Sequence, residues 1–141
     1  RAVGRAACLR RRLTAWSVKR QETDVKPPKL RLKLTFDSGL TVGPGKADLL
    51  QGIAAEGSIS AAGRRMKMSY KRAWMLVEEM NAVFEAPLVE SSRGGASGGG
   101  ARLTATGEAV LAHYRRLEAI TLEQGASEIA GITGLLKPQA D

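Results

Sequence analysis

A cluster of cationic side chains is the strongest chemical feature of this 141-residue sequence. The segment from residue 64 to residue 72 contains five basic residues and no acidic residue, and these are Arg64, Arg65, Lys67, Lys71 and Arg72. Cations at this density attract phosphate, and lysine and arginine also donate hydrogen bonds to base edges in the major groove of DNA. The alternative is a solvated helix face that contacts no partner.

Signals for catalysis are weak by comparison. The segment Gly43-Pro44-Gly45-Lys46 resembles part of a phosphate-binding loop, but Leu40 stands where that motif requires its first glycine and Ala47 where it requires a hydroxyl residue. The only histidine, His113, and the only cysteine, Cys8, lack the partners that a transition-metal site, a disulfide or a catalytic triad needs. We therefore expect no enzyme activity, no metal ligand and no cofactor in this chain, and a surface position for His113.

Charge is unevenly distributed along the chain. There are 22 lysines and arginines against 14 acidic residues, and nine of the cations lie in residues 1–29 with only two acids. That segment has no sustained apolar periodicity and ends at Pro27-Pro28, so we interpret it as a disordered basic arm. The arm either grips phosphate or is a solvated extension.

Composition and the lengths of the apolar runs indicate the structural class and the cellular location of the protein. The chain is 43% hydrophobic and 26% charged, which is typical of one globular domain. Cations interrupt every apolar stretch of the first 35 residues, where a secretory signal or a membrane span would need an unbroken run. We therefore expect a soluble, cytoplasmic protein without a membrane partner.

The first folded elements are predicted from residue 30 onward. Apolar residues at every second position predict a strand with one buried face over 30–36. Leu49, Leu50 and Ile53 are helically spaced and predict a first helix over about 46–56.

A helix-turn-helix follows the first helix. Ser58 or Ser60 is suited to cap a short helix through Met66, because a serine hydroxyl accepts the free amide hydrogens of a first helical turn. Ser69 repeats this signal and begins a longer helix with Trp74 beside its apolar stripe, where a core position is favoured over base stacking. The stripe consists of Ala73, Val77, Met80 and Phe84.

The remaining elements are a hairpin and a long helix. Residues 88–90 and 102–104 are strand-like and flank a glycine-rich stretch, which predicts a wing. Thr104 caps a last helix to about Gln124, whose apolar stripe is Val110, Tyr114, Leu117 and Ile120. The fold class is therefore mainly α with a small β wing, a winged helix-turn-helix over 30–124 with a C-terminal dimerisation helix, followed by a tail over 125–141.

The helix that begins after Ser69 is the candidate recognition helix. In this motif the N-terminal end of the recognition helix enters the major groove, where its amides favour phosphate and its first side chains reach base edges. An advance of 100° per residue places Lys71 and Arg72 on the side away from the apolar stripe. The predicted DNA-binding residues are Ser69, Tyr70, Lys71, Arg72, Arg64, Lys67, and from the wing Arg93 and Arg102.

An ordered set of motifs over about residues 30–122 resembles the DNA-binding domain of ModE-type molybdate-responsive transcriptional regulators. The motifs are Gly57-Ser58-Ile59-Ser60-Ala61-Ala62-Gly63, Met68-Ser69-Tyr70-Lys71-Arg72-Ala73-Trp74, Glu79-Met80-Asn81, Pro87-Leu88-Val89-Glu90, the paired glycines of 94–100, and Leu103-Thr104 with Gly107. This resemblance implies a bacterial, nucleoid-associated winged helix-turn-helix homodimer that binds a pseudo-palindromic operator, usually as a repressor of molybdate-uptake genes.

The sequence departs from this family in three respects. Gly63 stands where alanine is usual, and Lys67 stands at the turn where glycine is usual, so that a non-glycine residue is expected to adopt a positive φ. Longer members bind molybdate in two C-terminal domains, whereas only about twenty residues follow the last predicted helix here. We therefore expect molybdate to act only through another protein or an unrecognised site.

Two other functions stay open at this level. The first is a small molybdate or oxyanion carrier that keeps the fold without binding DNA. The second is a protein-interaction adaptor, because a fold does not dictate a function.

Overall fold

The computed structural model describes residues 26–92 and 100–138. Two short strands, β1 (Leu34–Thr35) and β2 (Thr41–Val42), precede three helices, α1 (Pro44–Glu56), α2 (Ile59–Arg65) and α3 (Tyr70–Val83). A second strand pair, β3 (Val89–Ser92) and β4 (Gly100–Leu103), leads into α4 (Ala105–Gln124) and α5 (Ala126–Gly134). Both strand pairs are antiparallel. The expectation of a mainly helical winged helix-turn-helix is confirmed, with β3 and β4 as the wing.

Side-chain caps set the starts of three helices. The hydroxyl oxygens of Ser58, Ser69 and Thr104 each accept a backbone amide hydrogen three residues later, at 3.2, 3.2 and 3.0 Å. These bonds satisfy amides that have no partner within the helix. The predicted starts of α2, α3 and α4 are therefore confirmed. Helix α1 begins two residues earlier than predicted, at Pro44, whose fixed φ suits a first helical position.

The turn between α2 and α3 is tight. Lys67 has a φ of 58°, which confirms the positive value expected at this position. The backbone amide of Met68 donates to the carbonyl of Gly63 at 2.9 Å and closes the turn. A Cβ at Gly63 would lie 3.1 Å from the Cβ of Ala73, so the glycine lets α2 and α3 approach closely.

The predicted strand over 30–36 is mostly wrong. Only two of its residues form β1, and Leu34 and Phe36 are 38% and 41% exposed. The partner strand β2 is equally short, because Gly43 ends it and α1 begins at the next residue. With so short a ladder the alternating side chains have no sheet face on which to pack. Phe36 instead meets Phe84, the residue that follows α3, edge-on with ring centroids 6.3 Å apart.

The core lies between α1, α2, α3 and the base of the wing. Its largest fully buried side chains are Leu40, Leu49, Leu50, Ile53, Val77, Met80 and Leu88. The predicted inward stripe of α3 is confirmed at Ala73, Val77 and Met80, whereas Phe84 and Trp74 are half-buried. The outward side of α3 is therefore fixed by the burial of the opposite side.

Helix α4 packs on α1 and on the segment before β1. The buried Tyr114 donates its phenolic hydrogen to the carbonyl of Leu32 at 2.8 Å, and burial raises the pKa of this phenol. Arg115 donates to Asp48 and Gln51 of α1 at 2.6 and 2.7 Å. His113 is exposed on this helix, as expected.

The C-terminal part of α4 is less well covered than its start. Within the predicted stripe, Val110 and Leu117 are half-buried and Ile120 is 42% exposed. Helix α5 follows within the segment that we interpreted as a tail, and Ile132, Leu135 and Leu136 are exposed there. Most of the predicted basic arm lies outside the described residues.

Asn81 of α3 fixes the position of the wing. Its carboxamide oxygen accepts the backbone amides of Leu88 at 2.8 Å and Val89 at 3.2 Å, and its nitrogen donates to the Val89 carbonyl at 3.1 Å. On the other side, the backbone amide of Thr104 donates to the Leu88 carbonyl at 2.9 Å. A Cβ at Gly107 would collide with that same carbonyl. The start of β3 is thus held between α3 and α4.

We predict that Asn81→Ala lowers the free energy of unfolding by about 2–3 kcal/mol, because it leaves buried backbone groups without partners. Asn81→Asp keeps the two acceptor contacts but sets a carboxylate oxygen against the Val89 carbonyl, so it should also lose stability. Urea denaturation followed by circular dichroism measures both. Equal stability of Asn81→Ala and the unaltered chain would contradict this role.

Candidate nucleic-acid interface

The first turn of α3 presents the predicted recognition residues to solvent. Ser69 is exposed but its hydroxyl oxygen is occupied by the amide of Arg72, so its role in the structure is that of a cap. Tyr70, Lys71 and Arg72 are all exposed. Unpaired amides and cationic side chains together make this helix end favourable for an anion.

An aromatic pair lies at the same end of the helix. The rings of Tyr70 and Trp74 stack with centroids 6.4 Å apart and an interplanar angle of 29°. Tyr70 is 57% exposed and Trp74 is half-buried. Trp74 therefore supports the Tyr70 ring from the core side, and the pair borders the cationic turn.

Two further predicted cations lie just before α3. Arg64 is in the last turn of α2 and Lys67 is in the turn itself, and both are exposed. The neighbouring Arg65 differs, because it pairs with Glu56 of α1 at 3.4 Å. The structure therefore separates one internally paired cation from the rest of the cluster.

The wing contributes one predicted residue that the structure describes. Arg102 on β4 donates to Glu90 on β3 at 3.1 Å, and its side chain is 81% exposed. This cross-strand pair holds the guanidinium on the wing surface with part of its charge offset. Arg93, the other predicted wing residue, lies outside the described residues.

A groove beside α3 contains cations that the sequence analysis missed. Arg31, Lys33 and Arg72 line a cleft of about 470 Å³ between the segment before β1 and the start of α3. The sequence signal was the alternation over residues 30–36, in which we treated the polar positions only as the outer side of a strand. Because that segment lies next to α3, its cations extend the cationic surface at the start of α3.

Lys46 lies in the same groove but serves the fold. Its ammonium group donates to the Thr41 carbonyl at 2.6 Å and pairs with Glu79 of α3 at 3.5 Å. Its side chain is only 11% exposed. Lys46 lies in the first turn of α1 and therefore ties this helix to β2 and α3.

Neither a metal cluster nor a membrane span is found in the part of the chain that the structure describes. Within residues 26–92 and 100–138 no three His, Cys, Asp or Glu side chains are grouped to hold a metal ion. No helix in these ranges has the length and apolarity needed to cross a bilayer.

Comparison with known proteins agrees with this architecture. A family model described as bacterial regulatory helix-turn-helix protein, lysR family, matches residues 46–108, which run from α1 through the wing into α4. A crystal structure of a CbnR_DBD-DNA complex superposes with a TM-score of 0.50 at 24% identity, covering 62% of this chain and 95% of that chain. The structural match supports the fold.

The sequence relatives are more specific. The chain is 44% identical to the molybdenum-pterin-binding protein MopA of Rhodobacter capsulatus, over 62% of this chain and 33% of the relative. It is 40% identical to the molybdenum transport protein ModE of Azotobacter vinelandii, over 62% of this chain and 33% of the relative. It is also 40% identical to the DNA-binding transcriptional dual regulator ModE of Escherichia coli K12, over 63% of this chain and 34% of the relative.

The chain thus spans about a third of the length of the curated relatives it matches. The resemblance that its motifs indicate is confirmed: over its winged helix-turn-helix region, this chain is similar in sequence to the ModE-type regulators.

Proposed function

We propose that this chain binds double-stranded DNA as part of a molybdate-responsive transcriptional regulator, with the start of α3 in the major groove. The observation that carries the proposal is the exposed cationic turn of Lys71 and Arg72 on a helix-turn-helix. The first acidic residue of α3 is Glu78, two turns further along. This order of charges favours insertion of the helix by its N-terminal end.

The described residues divide between base and phosphate contacts. Lys71 and Arg72 project from the first turn of α3, so they are the candidates for hydrogen bonds to base edges. Arg64 and Lys67 precede the helix, and the cap at Ser69 leaves neighbouring amides free for a phosphate. Tyr70 borders this turn and Arg102 extends the surface onto the wing. Arg93 belongs to the same proposed set.

The cationic groove supplies a second path for the DNA backbone. Arg31 and Lys33 line it with Arg72, on the side of α3 that faces away from the wing. Phosphate contacts on both sides of a recognition helix fix its orientation without reading sequence. We propose that these two residues hold the strand that passes on this side.

The wider biology rests on the relatives. Their printed names describe molybdenum-pterin binding, molybdenum transport and transcriptional regulation. We infer that this chain acts in the bacterial cytoplasm at the nucleoid, as a repressor and without catalysing a reaction. In this proposal its domain extends over 30–124, and a molybdate response reaches the DNA-binding surface from outside that domain.

A homodimer fits the uncovered apolar surface of the domain. Ile120 and Leu122 near the end of α4 are 42% and 48% exposed, and Leu34 of β1 is 38% exposed. Apolar side chains on a long terminal helix commonly mark association between copies. A dimer would place two α3 helices on the two halves of a pseudo-palindromic site.

We predict that Lys71→Ala and Arg72→Ala each lower affinity for the selected operator by about 1–3 kcal/mol, while affinity for random DNA falls less. Arg65→Ala is the matched control, because it removes one cation that pairs with Glu56 instead. Fluorescence anisotropy with duplexes selected from random DNA gives both affinities. Equal specificity losses in all three variants would argue for a merely charged surface.

A second prediction concerns the cationic groove. Arg31→Ala and Lys33→Ala should weaken binding to specific and random duplexes alike, and each should reduce the slope of log affinity against log salt by about 0.9, the value of one phosphate contact. Titrations at several salt concentrations measure the slope. An unchanged slope in both variants would remove these residues from the interface.

A third prediction concerns association. Ile120→Asp should shift the chain from dimer to monomer at micromolar concentration in analytical ultracentrifugation, because it buries a charge at the proposed contact. Ala112→Asp places the same charge on an exposed position of the same helix and should leave the dimer intact. A monomeric unaltered chain would refute the homodimer and leave the DNA contacts to be tested separately.

A further inference from the structure

The outward side of α3 carries an apolar side chain among its cations. Met75 is 59% exposed in the second turn of the helix, four residues after Lys71. An exposed apolar residue on its own needs no explanation. Here the position is informative, because it continues the side that the proposed function places toward DNA.

The buried residues of α3 determine where Met75 points. Ala73, Val77 and Met80 are at most 2% exposed and mark the inward side. With an advance of 100° per residue, Lys71 and Met75 both fall nearly opposite their mean direction. The two side chains are therefore neighbours on the outermost line of the helix.

The chemistry along this line changes from turn to turn. Lys71 is a cation, Met75 is a thioether one turn later, and Glu78 is an acid in the turn after that. The thioether has no hydrogen-bond donor and is a weak acceptor, so it cannot read the polar edge of a base pair. Its unbranched apolar chain is instead suited to contact an apolar group.

The major groove offers one such group. Among the four bases only thymine presents an apolar substituent there, its 5-methyl group. We propose that Met75 is a specificity-determining residue that contacts a thymine 5-methyl group next to the base pair read by Lys71. This inference rests on the proposed function, because it requires α3 to lie in the groove.

Charge favours DNA over a protein as the occupant of this face. Lys71 and Arg72 stand one turn before Met75, and the described groove beside Arg72 adds Arg31 and Lys33. A second copy of this chain would bring the same cations against these residues, and like charges repel. An anionic partner with an apolar group at its recognition edge satisfies both the cations and Met75.

The test combines a base analogue with a side-chain truncation. Full-length chain first selects its preferred duplex from random DNA. Each thymine of that duplex is then replaced in turn by deoxyuridine, which lacks only the 5-methyl group, and affinity is measured for the unaltered chain and for Met75→Ala. The burial of one methyl group corresponds to a change of about fourfold.

We expect the unaltered chain to lose about fourfold in affinity at one thymine of each half-site. At that thymine, Met75→Ala should bind the thymine and deoxyuridine duplexes equally, since the partner of the methyl group is gone. Such a double-mutant cycle removes effects of deoxyuridine on DNA shape, because these act on both proteins alike.

Two control variants keep the result specific. Met75→Leu preserves an apolar side chain and should retain the preference for thymine. Val83→Ala truncates another exposed apolar residue of α3, 40% exposed near its C-terminal end, and should show the full deoxyuridine effect. Circular dichroism of each variant confirms that it is folded.

The outcomes separate this inference from the proposed function. If no deoxyuridine replacement matters, if the selected duplex contains no thymine, or if Met75→Ala keeps the same thymine preference as the unaltered chain, Met75 does not read a methyl group. If no duplex is preferred over random DNA, the proposed function itself has failed, and the inference fails with it.

Discussion

The backbone of Leu88 is held from two sides, and the geometry of the proposed DNA-binding surface depends on it. Asn81 of α3 accepts its amide hydrogen at 2.8 Å, and Thr104 at the start of α4 donates to its carbonyl at 2.9 Å. Gly107 leaves room for that carbonyl, which any side chain would displace. Helix α3, the wing and α4 therefore meet at one residue, which fixes their positions relative to one another. In the proposed complex, this arrangement gives α3 and the wing a fixed spacing on one duplex.

The parts of the fold that could be predicted from sequence are those that local chemistry decides. Ser58, Ser69 and Thr104 cap helices through bonds to residues three positions ahead, so their effect is visible in a short window. The prediction of a strand over 30–36 was wrong because it depended on a partner outside that short window. Its alternation was real, but a partner of only two residues gave it no sheet on which to pack. Whether a strand is buried on a sheet depends on partner segments that are distant in sequence or that already belong to another element. Periodicity within the strand does not reveal those partners.

The cationic surface also contains residues that the sequence could identify and residues that only the structure brings together. The cluster around Lys71 was visible because its members are close in sequence, whereas Arg31 and Lys33 join it only through the fold. The sequence also could not separate Arg65, which pairs with Glu56, or Lys46, which pairs with Glu79, from cations that remain available. The turn residue Lys67 was predictable in part. Its motif position, where the family usually has glycine, predicted a positive φ, and the structure gives a φ of 58°. A lysine tolerates this conformation at a cost in strain that a glycine would not have.

The stacked pair of Tyr70 and Trp74 makes the start of α3 accessible to tryptophan fluorescence. Trp74 is one of only two tryptophans in the chain, and the other is Trp16. Replacing Trp16 by phenylalanine would leave a single indole beside the cationic turn, partly shielded by the Tyr70 ring at 6.4 Å. Quenching or a spectral shift of its emission would then report the arrival of a duplex in real time without an attached dye, and stopped-flow measurements would follow the encounter itself.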